Sequence, residues 1–134
     1  MAWSASLPCS MSWSSNRVLG PADPSSTAWD KKKFAGPVVI QQKPFSSDHN
    51  AWNMYYYGRD TDMWNMGIPP FNPILPTGRI GVATSTDGGF SFARSDRGAI
   101  LDPSDDASAF DCVHIGVGDV VFDPISKNWL LYYF

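Results

Sequence analysis

The sequence predicts an all-β fold, and three observations carry that prediction. Glycine and proline number 11 each while aromatic residues make up 14% of the 134-residue chain, and no long stretch repeats apolar residues at the roughly 3.6-residue period of a helix. From residue 28 onward, short apolar or aromatic runs are separated by turn signals, which is how strands are written. The third observation is an internal repeat. Ala28-Trp29-Asp30 matches Ala109-Phe110-Asp111, GPVVI (36–40) matches GDVVF (118–122), and WNMYYY (52–57) matches WLLYYF (129–134). The aspartates lie 81 residues apart and Trp52 and Trp129 lie 77 apart, so one unit begins twice with loops of different length. A strand, an aromatic strand and a hairpin, repeated at some tens of residues, describe the blade of a β-propeller.

Each element has a local reason. GPVVI is a short apolar run after a Gly-Pro break, expected as the innermost strand, and WNMYYYG (52–58) is an aromatic second strand stopped by Gly58. Between them the polar stretch to Asn50 reads as an exposed loop, and the four prolines between residues 61 and 78 exclude a central strand there. RIGVATS (79–85) and FSFARS (90–95) then flank Thr86-Asp87-Gly88-Gly89 as third and outermost strands. The Asp-Gly pair supplies the positive φ angles of a tight hairpin, and an Asp side chain bonds its own following amides. Asp87 is therefore read as turn scaffold, with Phe90 and Phe92 expected to pack between sheets. Residues 1–28 read as a poorly ordered leader. The apolar run ending at Phe134 has no turn signal after it, which raises the expectation of a chain cut within a strand.

Composition excludes several function classes. The net charge is −3 and the one basic run, Lys31-Lys32-Lys33, is three residues long, so no basic stripe for nucleic acid is present. No stretch approaches the roughly 20 apolar residues that span a bilayer. The N-terminus lacks the charged start and apolar core of a secretory signal, and its serine-rich composition is compatible with a transit peptide. Cys9 and Cys112 fall in unlike contexts, and no Cys/His spacing matches a structural zinc site. Neither a metal nor a cofactor is expected.

The order of these motifs (Trp/Phe-Asp, GPVVI, WNMYYYG, then IGVATSTDGGFSF) resembles the five-bladed β-propeller glycosidases, glycoside hydrolase family 43 and its β-fructosidase relatives of family 32. STDGGFSF (85–92) is also similar to the sialidase-type Asp box, with Phe92 in place of its Trp. The resemblance implies about one and a half blades: a first blade at about 29–100 and a second begun at about 109. It also implies a carbohydrate partner and glycosidic-bond hydrolysis by a pair of carboxyl groups, one protonated acid and one base or nucleophile.

Carried over by position, Asp30 corresponds to the base or nucleophile and Asp119 to the carboxylate that tunes pKa, with Pro37 standing where the repeat places Asp119. The family's acid is a Glu, and all 13 acidic residues of this chain are Asp. The chain by itself is therefore expected to be inactive. A second reading stays open, since residues that recur in every repeat are often scaffold, and Asp30 and Asp111 recur. Substrate-binding candidates are Asp60, whose Gly58-Arg59-Asp60 resembles the fructosidase Arg-Asp-Pro triplet with Thr61 in place of the Pro, then Trp64 in the proline-rich loop, His114 and Asp111. Sugars stack on exposed aromatic faces, whereas Trp52 and Trp129 repeat in register and read as packing. The alternative function is a carbohydrate-binding or protein-interaction propeller without catalysis, and a third is an incomplete product with open sheet edges.

Overall fold

The computed structural model describes residues 18–43, 49–60 and 78–134. Among these the chain is all-β, with six strands: β1 (Lys33–Gln41), β2 (Trp52–Arg59), β3 (Arg79–Ser85), β4 (Ala93–Leu101), β5 (Val117–Asp123) and β6 (Asn128–Tyr133). β1 to β4 form an antiparallel sheet in sequence order, and β5 pairs with β6 in a second sheet.

β2 is apolar on both faces because both faces of its sheet are covered. Met54, Tyr56 and Gly58 are buried on one side, where Leu19, Trp29, Phe34 and Phe92 pack on Met54, Tyr56 and Ala83. On the other side Val38, Ile40, Tyr55, Ile80 and Leu101 meet Ile115, Val117 and Val120, together with Trp129, Leu131 and Tyr133. The second sheet thus lies on one face of the first.

Several expectations are corrected in detail. β1 does not start after the Gly-Pro break but runs through it, as a bulge between Ala35 and Val38 with Gly36 at φ 55°. A proline without an amide hydrogen fits a bulge of an edge strand. The fourth strand starts at Ala93 rather than Phe90. Phe90, expected between sheets, is 85% exposed, while Phe92 does pack on the Met54 cluster. Residues 18–28, expected as part of a poorly ordered leader, are held: Leu19 packs on that same cluster, and the Arg94 guanidinium donates to the Gly20 carbonyl.

The repeat is real in three dimensions, with one shift of register. Trp52, Asn53, Met54 and Tyr55 pair with Gln41, Ile40, Val39 and Val38. Their counterparts Trp129, Leu130, Leu131 and Tyr132 pair with Phe122, Val121, Val120 and Asp119. The first strands therefore correspond at 81 residues, the separation of the aspartates, one less than matching VVI to VVF requires. Val38, not Pro37, occupies the place of Asp119. β5 carries its own bulge between Val117 and Asp119, beside the position matching the bulge of β1.

Candidate functional site

The Asp87 hairpin is built as its sequence demands. Ser85 Oγ donates to Asp87 Oδ1 at 2.7 Å, and the other carboxylate oxygen accepts from Ser91 Oγ at 2.6 Å. The Ser91 amide also donates to Oδ1, while Ser85 Oγ accepts the Gly89 amide. Gly88 and Gly89 both have positive φ. The Ser91 and Ser85 hydroxyls and the Ser91 amide hold the Asp87 carboxyl well below the usual carboxylate range. Asp87 closes a turn and is exposed.

Four of the sequence-derived candidates, Asp30, Asp60, Asp111 and His114, lie at one end of the two sheets. β1 and β5 begin at this end, and β2 and β6 finish there. Asp30 lies just before β1, Asp60 just after β2, and Asp111 and His114 just before β5. The two sheets are joined here by the Ile115 amide, which donates to the Gly78 carbonyl, and the β5–β6 ladder extends by one pair, Gly116 and Phe134, which exchange backbone bonds of 2.9 and 3.1 Å. His114 lies 4.9 Å from the Tyr57 ring and 6.3 Å from that of Phe134, centroid to centroid. Arg59 donates to the Tyr57 hydroxyl at 3.0 Å, and Arg79 pairs with Asp102 at 3.0 Å. Asp60 and Phe134 are exposed; His114 and Tyr57 are half-buried. Trp64 lies outside the described residues.

The aspartates have distinct settings. Asp30 is fully buried. Its Oδ2 accepts from Arg94 Nε at 2.7 Å and from the Tyr56 hydroxyl at 3.1 Å, and its Oδ1 has no hydrogen-bond partner. Burial, then the Asp30 charge, push the Tyr56 hydroxyl pKa well above its ordinary value. Asp111 repeats the arrangement one unit later: Tyr133, the counterpart of Tyr56, donates to Asp111 Oδ2 at 2.9 Å. The aromatic residue ahead of each aspartate stacks on the same tyrosine, Trp29 on Tyr56 at 5.5 Å and Phe110 on Tyr133 at 5.8 Å. This aromatic-Asp-Tyr clamp was not anticipated, although the repeat of Trp29-Asp30 and Phe110-Asp111 at one spacing, with matching tyrosines, signals it.

Asp119 is solvent-exposed on β5 and accepts the Val120 amide at 2.7 Å. It does not share a pocket with Asp30. Tyr56, to which Asp30 is bonded, points to the face of the first sheet away from the second, so the sheet stands between the two carboxylates.

Among the described residues no three His, Cys, Asp or Glu side chains converge to hold a metal ion. No described helix is long and apolar enough to cross a membrane. No family model matches the chain, and neither the curated proteins nor the solved structures contain a match.

Proposed function

We propose that the two sheets are successive blades of a five-bladed β-propeller of the glycosidase type, and that the end gathering Asp60, Asp111, His114, Tyr57 and Phe134 is its carbohydrate-facing end. The observation that carries this reading is the stacking of two equivalent units with the same clamp, so that loop carboxylates, an arginine and aromatic rings of both units collect at one end. That mixture suits a sugar, whose C–H faces stack on aromatic rings while its hydroxyls bond to charged and polar groups. Hydrolysis in such a protein belongs to a carboxylate pair; of the two aspartates that the resemblance equates with that pair, Asp119 is open to solvent and Asp30 is buried.

One observation favours the second reading, a carbohydrate-binding propeller without catalysis. Asp30, which the resemblance equates with the base, is buried and ion-paired, which is the setting of a structural carboxylate.

Ligand-observed NMR with arabino-, xylo- and fructo-oligosaccharides tests the proposal. Binding to one class, weakened at least tenfold by His114→Ala or Phe134→Ala, is expected, with no turnover by this chain. Absence of binding at millimolar sugar overturns the carbohydrate reading. Turnover abolished by Asp119→Asn decides for the enzyme over the binder.

A further inference from the structure

Strand register gathers positive charge at the end that these candidates share. The Lys31-Lys32-Lys33 run enters β1 alongside the last residues of β2. The Lys32 amide donates to the Arg59 carbonyl at 2.9 Å, and Lys33 pairs directly with Arg59 across the two strands. Two cationic side chains set directly opposite each other repel.

The pair also has a defined side. Phe34 and Gly58, the next pair along, lie against Tyr56 and Trp29, so strand alternation puts Lys33 and Arg59 on the other face of the first sheet. Tyr57 and Ile80, which pair with each other, share that face, and the second sheet lies on it. Arg59 donates to the Tyr57 hydroxyl, and the Tyr57 ring meets that of His114. Lys33 is exposed and Arg59 half-buried. Among the acids at this end, Asp30 pairs with Arg94, Asp102 pairs with Arg79, and Asp111 accepts from Tyr133. Even with exposed Asp60 set against Arg59, its neighbour in the chain, Lys32 and Lys33 keep this strand end positive.

We infer that this face takes an acidic saccharide, with the carboxylate of a uronate unit held between Lys33 and Arg59 and the sugar ring against Tyr57 and His114. The inference rests on the carbohydrate reading above and narrows it to acidic chains. A guanidinium offers paired donors to the two oxygens of a carboxylate, and an ammonium adds a point charge. An anion between them relieves their repulsion, while the adjoining rings suit the C–H face of a sugar.

Isothermal titration with a tri-uronate, its methyl ester and its carboxyl-reduced form tests this. In low salt the acid binds at least tenfold more tightly than either neutral form. Raising salt to about 0.5 M removes most of that advantage by screening. Lys33→Glu, at an exposed position, lowers affinity for the acid about tenfold, leaves the neutral forms unchanged and preserves the circular dichroism spectrum. Arg59→Lys, which keeps the charge and loses the paired donors, also weakens the acid. Lys127→Glu, the same change of net charge in the β5–β6 turn at the opposite end, changes neither affinity. An acid bound no more tightly than its neutral forms overturns the inference and leaves the carbohydrate reading standing, whereas binding of none of the three overturns both. An advantage indifferent to Lys33→Glu, or one equalled by inorganic phosphate at the same concentration, also overturns it. Tighter binding of a single-stranded oligonucleotide overturns it in favour of nucleic acid.

Discussion

Asp30 shows how a residue's burial decides its role. A carboxylate with no exposure is tolerated because Arg94 and the Tyr56 hydroxyl meet one oxygen, and removing one partner of a buried pair strands the other. Arg94→Met is expected to lower unfolding free energy by about 3 kcal/mol, measured by urea denaturation. Tyr56→Phe, which deletes one neutral donor to a charged acceptor, is expected to cost about 2 kcal/mol. The raised Tyr56 pKa fixes the sign of its alkaline effect. The unfolded chain loses this proton first, so the contribution is whole below pH about 10 and declines above it; the Phe variant should show a shallower alkaline decline. Asp87 works in the opposite direction. Its lowered pKa means its contribution is present above about pH 4 and is lost as pH falls further, so Asp87→Asn should flatten the acid limb of a melting-temperature profile.

At the scale of the element, turn and repeat chemistry was legible and strand register was not. Asp87, Gly88 and Gly89 stand where the Asp-Gly signal put them, because the required φ angles are local properties of these residues. The register of β5 against β1 depends on bulges, which sequence identity does not mark; aligning VVI with VVF turns every side chain to the opposite face. Close approach is equally invisible in the sequence. The Trp29 indole lies flat across β2 and β3, and a Cβ at Gly81 would stand 2.3 Å from its ring. Gly81→Ala is expected to destabilise the protein by about 2 kcal/mol through displacement of that ring, with a matching change in tryptophan fluorescence.

For the whole molecule, the 18–30 segment is a structural part rather than a leader, since Leu19 covers the Met54 cluster and Gly20 accepts a bond from Arg94. A chain starting at residue 23 should therefore melt several degrees lower in a calorimeter; an unchanged melting temperature would show that Leu19 and Gly20 contribute nothing. The candidate site divides in the same way. Asp60, Asp111 and His114 were each visible as loop residues beside strand ends, and strand direction is enough to gather such residues at one end. That Asp30 lies behind the first sheet while Asp119 stands in solvent was not visible, because which face a side chain takes depends on the partner sheet.

The sequence by itself determined the all-β class, the hairpin at Asp87 and the recurrence of one unit, because backbone propensity, turn chemistry and repetition are written in neighbouring residues. Only the tertiary structure decided the register of the repeat, the burial of Asp30 and which face of the first sheet the second covers. These follow from bulges and from packing between residues far apart in the chain, where a shift of one position exchanges core for surface.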